Sequence, residues 1–371
     1  MNISSLPAEL LAMIIDHLHG DNNSLLASSQ VARSWTEPSH YHLFHRLSVF
    51  VLEPEWFSRL LALLESSERA RCYISHMVLW TSHWTGFAAY EPMCHHIISR
   101  ILSKTQNLKS LTLSGVHLQC RHGFVPEHDI EHPSPSTNLE TFSLYRCQTD
   151  TRIEPVLAYL LGCCTSIGYV QLQKYTPPVK ASPLPDLSHL RIRHLDIESH
   201  GADDLLPALK ICPPVLAVTL VVTSQVLKLA QFISGVGRDL RALWLRLPSS
   251  SSYLRRDITG SDFKDGLILP CKGLQALHIS THTDTDPYSR LGPEENLLAM
   301  WDSVTHILSS IPAGLSDLTL DFSVHAESRD FFRQAVHWED MDTTLSALRS
   351  LASMVVTIRV VETEFDDDYE V

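Results

Sequence analysis

The chain has 371 residues, 44% of them hydrophobic and 19% charged, so it is long and apolar enough to bury a large core and is not disordered as a whole. Its formal net charge of −13 argues against a nucleic-acid backbone as the main partner, because that binding needs clustered lysine and arginine. No apolar run approaches the ~18 residues of a membrane span, and Val215–Val222 is among the longest.

The first predicted element is a short helix over Leu6-Pro7-Ala8-Glu9-Leu10-Leu11, continuing through Ile14-Ile15 and Leu18. Pro7 suits a first helical turn, where its missing N–H costs nothing, and Glu9 faces the positive end of the helix dipole. Gly20 with Asp21-Asn22-Asn23 is expected to stop the helix. Met13, Leu10, Ile14, Leu18, Leu11 and Ile15 fill an apolar arc of roughly 200° on a helical wheel. A helix packed on one core needs a stripe only about half that wide, so the excess implies a partner.

Downstream come Val31-Ala32-Arg33-Ser34-Trp35 and Phe44. The whole order resembles the F-box, the motif by which substrate receptors dock onto the Skp-type adaptor of cullin-RING ubiquitin ligases. Leu6-Pro7, Glu9-Leu10, Ile14, Leu18, Val31, Arg33 and Trp35 stand where that family places its Leu-Pro, Glu-Leu, Ile, Leu, Val, Arg and Trp. Ala32 replaces the usual cysteine, and Phe44 stands where Trp or Phe is typical. The resemblance covers about one eighth of the chain. It implies a three-helix segment over residues 1–46, with Leu6, Pro7, Glu9, Leu10, Ile14, Leu18, Val31 and Trp35 as adaptor-binding residues. No basic leader precedes this segment, and Glu9 and Asp16 interrupt its apolar stretch, so no signal peptide is expected. Without one, the eight irregularly spaced cysteines read as reduced thiols, and the expected location is intracellular, in cytoplasm, nucleus or both.

From Phe44 onward a six-residue pattern, apolar-x-x-apolar-x-apolar, recurs. It occurs at Phe44/Leu47/Val49, Ile74/Met77/Leu79, Leu108/Leu111/Leu113, Leu139/Phe142/Leu144, Ile167/Val170/Leu172 and Ile192/Leu195/Ile197. It returns at Val215/Val218/Leu220, Leu240/Leu243/Leu245, Leu274/Leu277/Ile279, Leu315/Leu318/Leu320 and Leu351/Met354/Val356. The middle positions lie 23 to 41 residues apart, about one supersecondary unit. The last two apolar residues of each copy alternate with mostly polar ones, as a strand with one buried face requires. Helices are expected between many strands, at Pro54–Glu65 with Trp56, Leu60, Leu61 and Leu64 on one face, and at Glu294–Ser310 with Leu297, Leu298, Trp301, Val304 and Leu308. The expected fold is α/β: the F-box-like segment at 1–46, then a solenoid over 47–361 of about ten to eleven strands, its curved parallel sheet inside and helices outside. Residues 362–371, with six carboxylates, are expected to form a disordered acidic tail.

This solenoid resembles irregular leucine-rich repeats, and its pairing with an F-box resembles fungal substrate receptors. The usual asparagine after each strand is missing, and only Cys147 stands at that position. Variable loops are therefore expected, with Pro133–Ser136 and Ser249–Ser252 the most mobile. The overlap of Phe44/Leu47/Val49 with the end of the F-box-like segment suggests that the two parts are packed together rather than tethered.

Chemistry has little support. Cys120, His122, His128 and His132 form a loose Cys/His cluster, but Pro126 and Pro133 flank it and paired Cys-x-x-Cys is lacking. Gly235-Val236-Gly237-Arg238 is too short to be a phosphate loop, and no Gly-x-Ser-x-Gly elbow occurs. We expect no catalytic residue, metal or cofactor. His40, His42 and His45 read as helix-surface residues, and His95-His96 as the opening of a helix.

Residues flanking the last two apolar positions of each copy point away from the core. Among them Trp80, Tyr145, Tyr169, Trp244 and Arg246 are of types enriched at interaction hot spots, and Gln171, Asp196 and Glu198 lie beside them. These eight are the expected target-binding residues. With carboxylates outnumbering arginine there, an unmodified or basic protein target is expected rather than a phosphorylated one. The reading is a non-catalytic substrate receptor of a cullin-RING ligase, holding the Skp-type adaptor by one end and a protein target by the other. The alternative is an adaptor-bound scaffold with no role in ubiquitin transfer.

Overall fold

The computed structural model describes residues 6–50, 55–81, 95–118, 137–147, 160–173, 190–198, 215–222, 226–247, 267–282, 293–326, 329–336, 338–346 and 348–361. The Cys120/His122/His128/His132 cluster, both serine-rich loops and the acidic tail lie outside them. The chain divides into two compact units, Met1–Leu190 and Arg191–Val371.

The first unit opens with three helices, α1 (Ala8–Asp16), α2 (Asn22–Val31) and α3 (Arg33–His45). Pro7 is the N-cap of α1 rather than a residue of its first turn, and its carbonyl accepts the first helical bond from Leu11 N at 3.1 Å. The helix ends a turn earlier than Gly20. Leu18 N donates to Ile15 O at 2.9 Å, and Asp21 instead starts α2 by accepting from Asn23 N and Ser24 N. Ala32, in extended conformation, makes a one-residue break before α3. Leu11, Ile15 and Leu25 form a small core, and Leu18, Trp35 and Leu43 pack against it.

Helix α3 runs directly into the first strand, β1 (Arg46–Phe50), followed by α4 (Glu55–Ser66), α5 (Glu68–Tyr73), β2 (His76–Trp80), α6 (His95–Lys104), β3 (Ser110–Ser114), β4 (Thr137–Tyr145) and β5 (Cys164–Gln173). All adjacent pairs from β1 to β5 are parallel. Their register aligns the pattern copy by copy: Leu47, Met77, Leu111, Phe142 and Val170 face one another in turn. From Met77 on, that row is fully buried.

The second unit contains β6 (Arg191–Glu198), β7 (Ala217–Val221), α7 (Val226–Val236), β8 (Ala242–Leu247), β9 (Ala276–His282), α8 (Pro293–Ser309), β10 (Asp317–His325), α9 (Arg329–Ala335), α10 (Trp338–Ser346) and β11 (Ser353–Val361). Here too every adjacent pair is parallel, and Leu195, Val218, Leu243, Leu277, Leu318 and Met354 line up. Burial of an aliphatic side chain contributes about 1.5–3 kcal/mol, so the buried members of the row are a main stabilising feature of the strands in each unit.

Helices cover the apolar side. Trp301 of α8 lies against Phe322 of β10 at 5.8 Å between ring centroids, and Phe332 of α9 packs on the same ring at 5.6 Å. The predicted faces are right except at two positions. In α4, Phe57 is buried and Trp56 is exposed, its ring beneath the Arg59 guanidinium at 5.4 Å. In α8, Ile307 is buried and Leu298 is exposed. Both helices bury a stripe narrower than the run of apolar residues available to them.

A repeated pair of backbone bonds joins successive strands at the start of their pairing. Ser75 O accepts from both Lys109 N and Ser110 N, Lys109 O from Glu140 N and Thr141 N, and Arg241 O from Gln275 N and Ala276 N. Where β3, β4 and β9 begin to pair with the preceding strand, one carbonyl thus satisfies two donors of the next segment. Cys147, at the asparagine-like position, is buried and its thiol donates to Leu113 O at 3.3 Å. Among the described strands β11 pairs only with β10, and Met354 and Val356, expected in the core, are exposed, as is Ile358, because no described element covers that side.

Candidate protein-interaction site

The first candidate surface is the outer side of α1. The wide apolar arc of α1 is used on two sides. Leu11 and Ile15 turn into the small core, with Ile15 0% exposed, while Leu10, Met13 and Ile14 remain 47%, 58% and 42% exposed. Leu6 is exposed just before α1, and Leu26 and Val31 are exposed on α2. The expected adaptor-binding residues therefore separate. Leu6, Pro7, Glu9, Leu10, Ile14 and Val31 are on the outside; Leu18 and Trp35 are partly buried against the helical core and support the surface from beneath. Met13, exposed on α1, and Leu26, exposed on α2, were not among the expected residues; for Leu26 the apolar pair Leu25-Leu26, one inside and one outside, was the available signal.

This segment is fastened to the strands within its unit. Tyr41 and Tyr73 meet edge to face at 5.8 Å, Tyr73 OH donates to Glu37 at 3.3 Å, and His45 and His76 rings lie 5.2 Å apart. Ser75 N donates to His45 O at 3.1 Å. Thus His40, His42 and His45 are on α3 as expected, yet partly buried rather than on its surface. His42 Nε2 lies 2.7 Å from Asp16 Oδ1 and ties α3 to the end of α1. Helix α6 does begin at His95.

The second candidate surface is the polar side of the strands. In the first unit, Phe50, Trp80, Ser114, Tyr145 and Gln173 share a row, so Trp80 and Tyr145 flank Ser114. Trp80 is exposed, stacks on Phe50 at 4.4 Å and donates from Nε1 to Ser48 Oγ at 2.9 Å. The Arg146 guanidinium sits 5.2 Å over the Tyr145 ring. Gln171 accepts from Ser143 Oγ at 3.3 Å in the neighbouring row, and Tyr169 is half-buried one row further on.

The second unit carries the other four expected residues. Asp196, Thr219, Trp244, His278 and Thr319 form one row; Arg246, Ser280 and Asp321 form the next. Trp244 stacks on His194 at 5.3 Å with only 12° between the rings, and His194 Nε2 lies 3.1 Å from Thr219 Oγ1. Asp196 is only 5% exposed, Arg246 is exposed, and the side chain of Glu198 lies outside the described residues. Arg359, on β11, was not anticipated and donates to Asp321 Oδ2 at 2.9 Å. Burial lowers the pKa of His194, opposed by Asp196, and that of His278, opposed by Asp321 and reinforced by Arg246 and Arg359.

Among the described residues no group of three or more His, Cys, Asp or Glu is placed to hold a metal ion, and no helix is long and apolar enough to cross a membrane. No protein-family model matches the sequence, and no curated protein does. Among solved structures, the leucine-rich repeat-containing protein LegL7 from Legionella pneumophila is similar, at 11% identity and a TM-score of 0.39, over 84% of this chain and 91% of that one. A likeness that loose leaves the description of the repeats to the strand register itself.

Proposed function

We propose that this protein is a non-catalytic substrate receptor of a cullin-RING ubiquitin ligase, an F-box protein with irregular leucine-rich repeats. In this reading the outer patch of α1 docks a Skp-type adaptor, and the polar sides of the strands hold a protein target. The supporting observation is the two-sided α1. Contiguous exposed Leu6, Leu10, Met13 and Ile14, backed by a formed core of Leu11, Ile15 and Leu25, is a patch larger than lone surface apolar residues make. The F-box-like residue order supplies the identity of the partner. Bringing a target lysine near charged ubiquitin would be a contribution of proximity, raising the effective concentration of a nucleophile. The test is purification of the full chain with tagged Skp-type adaptor and cullin. Recovery of all three together is expected, and recovery of the adaptor without cullin would favour the scaffold reading.

A further inference from the structure

Strand β11 presents a surface that neither candidate site uses. Met354, Val356, Ile358 and Val360 are 37% to 46% exposed, whereas their register partners on β10, Leu318, Leu320, Phe322 and Val324, are at most 1% exposed. Ser353 N donates to Ser316 O. Backbone groups alternate in direction along a strand, so the odd-numbered residues of β11 bond to β10. Met354, Val356, Ile358 and Val360 then aim their N–H and C=O groups at the other edge, where no described strand pairs. Sheet edges usually carry lysine, proline or a bulge that blocks a further strand. β11 has no lysine or proline and pairs with β10 over its 9 residues without a register shift. Its one charge, Arg359, is taken by Asp321 at 2.9 Å.

The strand is complementary to itself. Two copies close on a two-fold axis when their edges run antiparallel, and even-numbered residues must then face even-numbered ones. Centred on Thr357, such a pair sets Val356 opposite the partner's Ile358 and Met354 opposite the partner's Val360. Each of these pairs exchanges two backbone bonds and joins two apolar side chains. Thr357 faces the partner's Thr357, a favourable cross-strand pair, and Arg359 faces the partner's Val355 rather than another charge. Six carboxylates follow Val361 in the sequence, whereas Arg349, just before the strand, is exposed. Antiparallel pairing sets the end of β11 that leads into the carboxylates beside the Arg349 end of the other copy; parallel pairing would bring the two acidic ends together. An edge about 30 Å long makes a small interface, so the dimer should be weak, dissociating at about 10–100 µM.

We propose that this chain self-associates through β11, two copies pairing antiparallel about Thr357 into one continuous sheet. The inference does not depend on the adaptor or the target. Sedimentation velocity of the full chain from about 1 to 200 µM spans the expected dissociation constant. The mass should rise with concentration from 41.8 kDa toward twice that value. Val356→Pro removes one outward N–H and no bond to β10, a change that edge strands tolerate, and should hold the mass at the monomer with the unfolding midpoint near that of the parent. Thr357→Cys places two thiols across the axis within reach of a disulfide and should give a covalent dimer under mild oxidation. Val356→Cys faces the partner's Ile358 and should give no more than the parent, whose Cys72 is exposed. The cysteine variants decide the matter should Val356→Pro fail to fold. A monomer at every concentration, as expected if residues 362–371 or a different protein cover the edge, would overturn the proposal. So would a dimer undiminished in folded Val356→Pro, or equal crosslinking of the two cysteine variants.

Discussion

Ile14 and Ile15 are neighbours in sequence with opposite roles, because 100° per residue carries one outward and the other into the core. Ile15→Ala should cost about 2–5 kcal/mol in urea unfolding, as for a fully buried aliphatic. Leu10→Ala should stay within about 0.5 kcal/mol of the parent, since its side chain is exposed. Thiol chemistry makes a similar division. Cys72 is exposed, whereas Cys147, Cys163, Cys164 and Cys271 are buried, and burial pushes the Cys147, Cys164 and Cys271 thiols up to about 12. Brief alkylation of the native chain, mapped by mass spectrometry, should modify Cys72 and spare those four until denaturant is added. Modification of Cys147 at the rate of Cys72 would contradict the burial described. At this scale the sequence revealed type but not always direction. Trp56 and Leu298 are apolar and helical, yet periodicity alone did not tell which edge of a wide stripe would be left outside.

Individual elements were more legible. Each apolar-x-x-apolar-x-apolar copy became a strand, and the middle residues came into one register, because the period of two leaves a single way to bury the repeated side chains. The end of α1 was not legible, because Asp21 was read as a stop signal when its carboxylate instead caps the next helix. The packing of α3 against the strands was expected from the overlap of Phe44/Leu47/Val49, but the His45–His76 contact was not, because the two are remote in sequence and meet only through the fold. Burial lowers the pKa of both. His76, Arg46, His42 and Lys109 add to the effect at His45, while at His76 Arg46 and Lys109 add and Glu140 opposes. The folded chain then binds fewer protons than the unfolded one below the ordinary value of 6.5. Stability should be full above that pH and fall as pH drops through it toward the lower folded values. His45→Gln combined with His76→Gln should reduce this slope in urea titrations at pH 7.5 to 5.0 (about the range where histidine titrates), leaving the part from His194 and His278. An unchanged slope would show that the ring pair does not carry it.

For the whole molecule, the division at Leu190 and Arg191 was not visible, because the repeat continues across it without a change of composition. The eight expected target-binding residues fall four to each unit, and charge on the second unit's polar face is the feature most open to test. Asp196 is buried, so its reversal would damage folding as well as binding; Asp317 is exposed and shares a row with His194. Asp317→Lys should slow capture of a basic target and flatten its salt dependence, as expected when complementary charge steers association. Faster capture would mean that the target is acidic. The central claim, however, is that the outer patch of α1 docks a Skp-type adaptor. Calorimetric titration of that adaptor into the parent and into Leu10→Ala/Ile14→Ala tests it most directly, with the unfolding midpoint as the control for folding. Loss of at least one good anchor predicts affinity lower by about 2 kcal/mol or more, roughly thirtyfold, at unchanged stability. Equal affinity in a folded double mutant, or no adaptor binding by the parent, would contradict it.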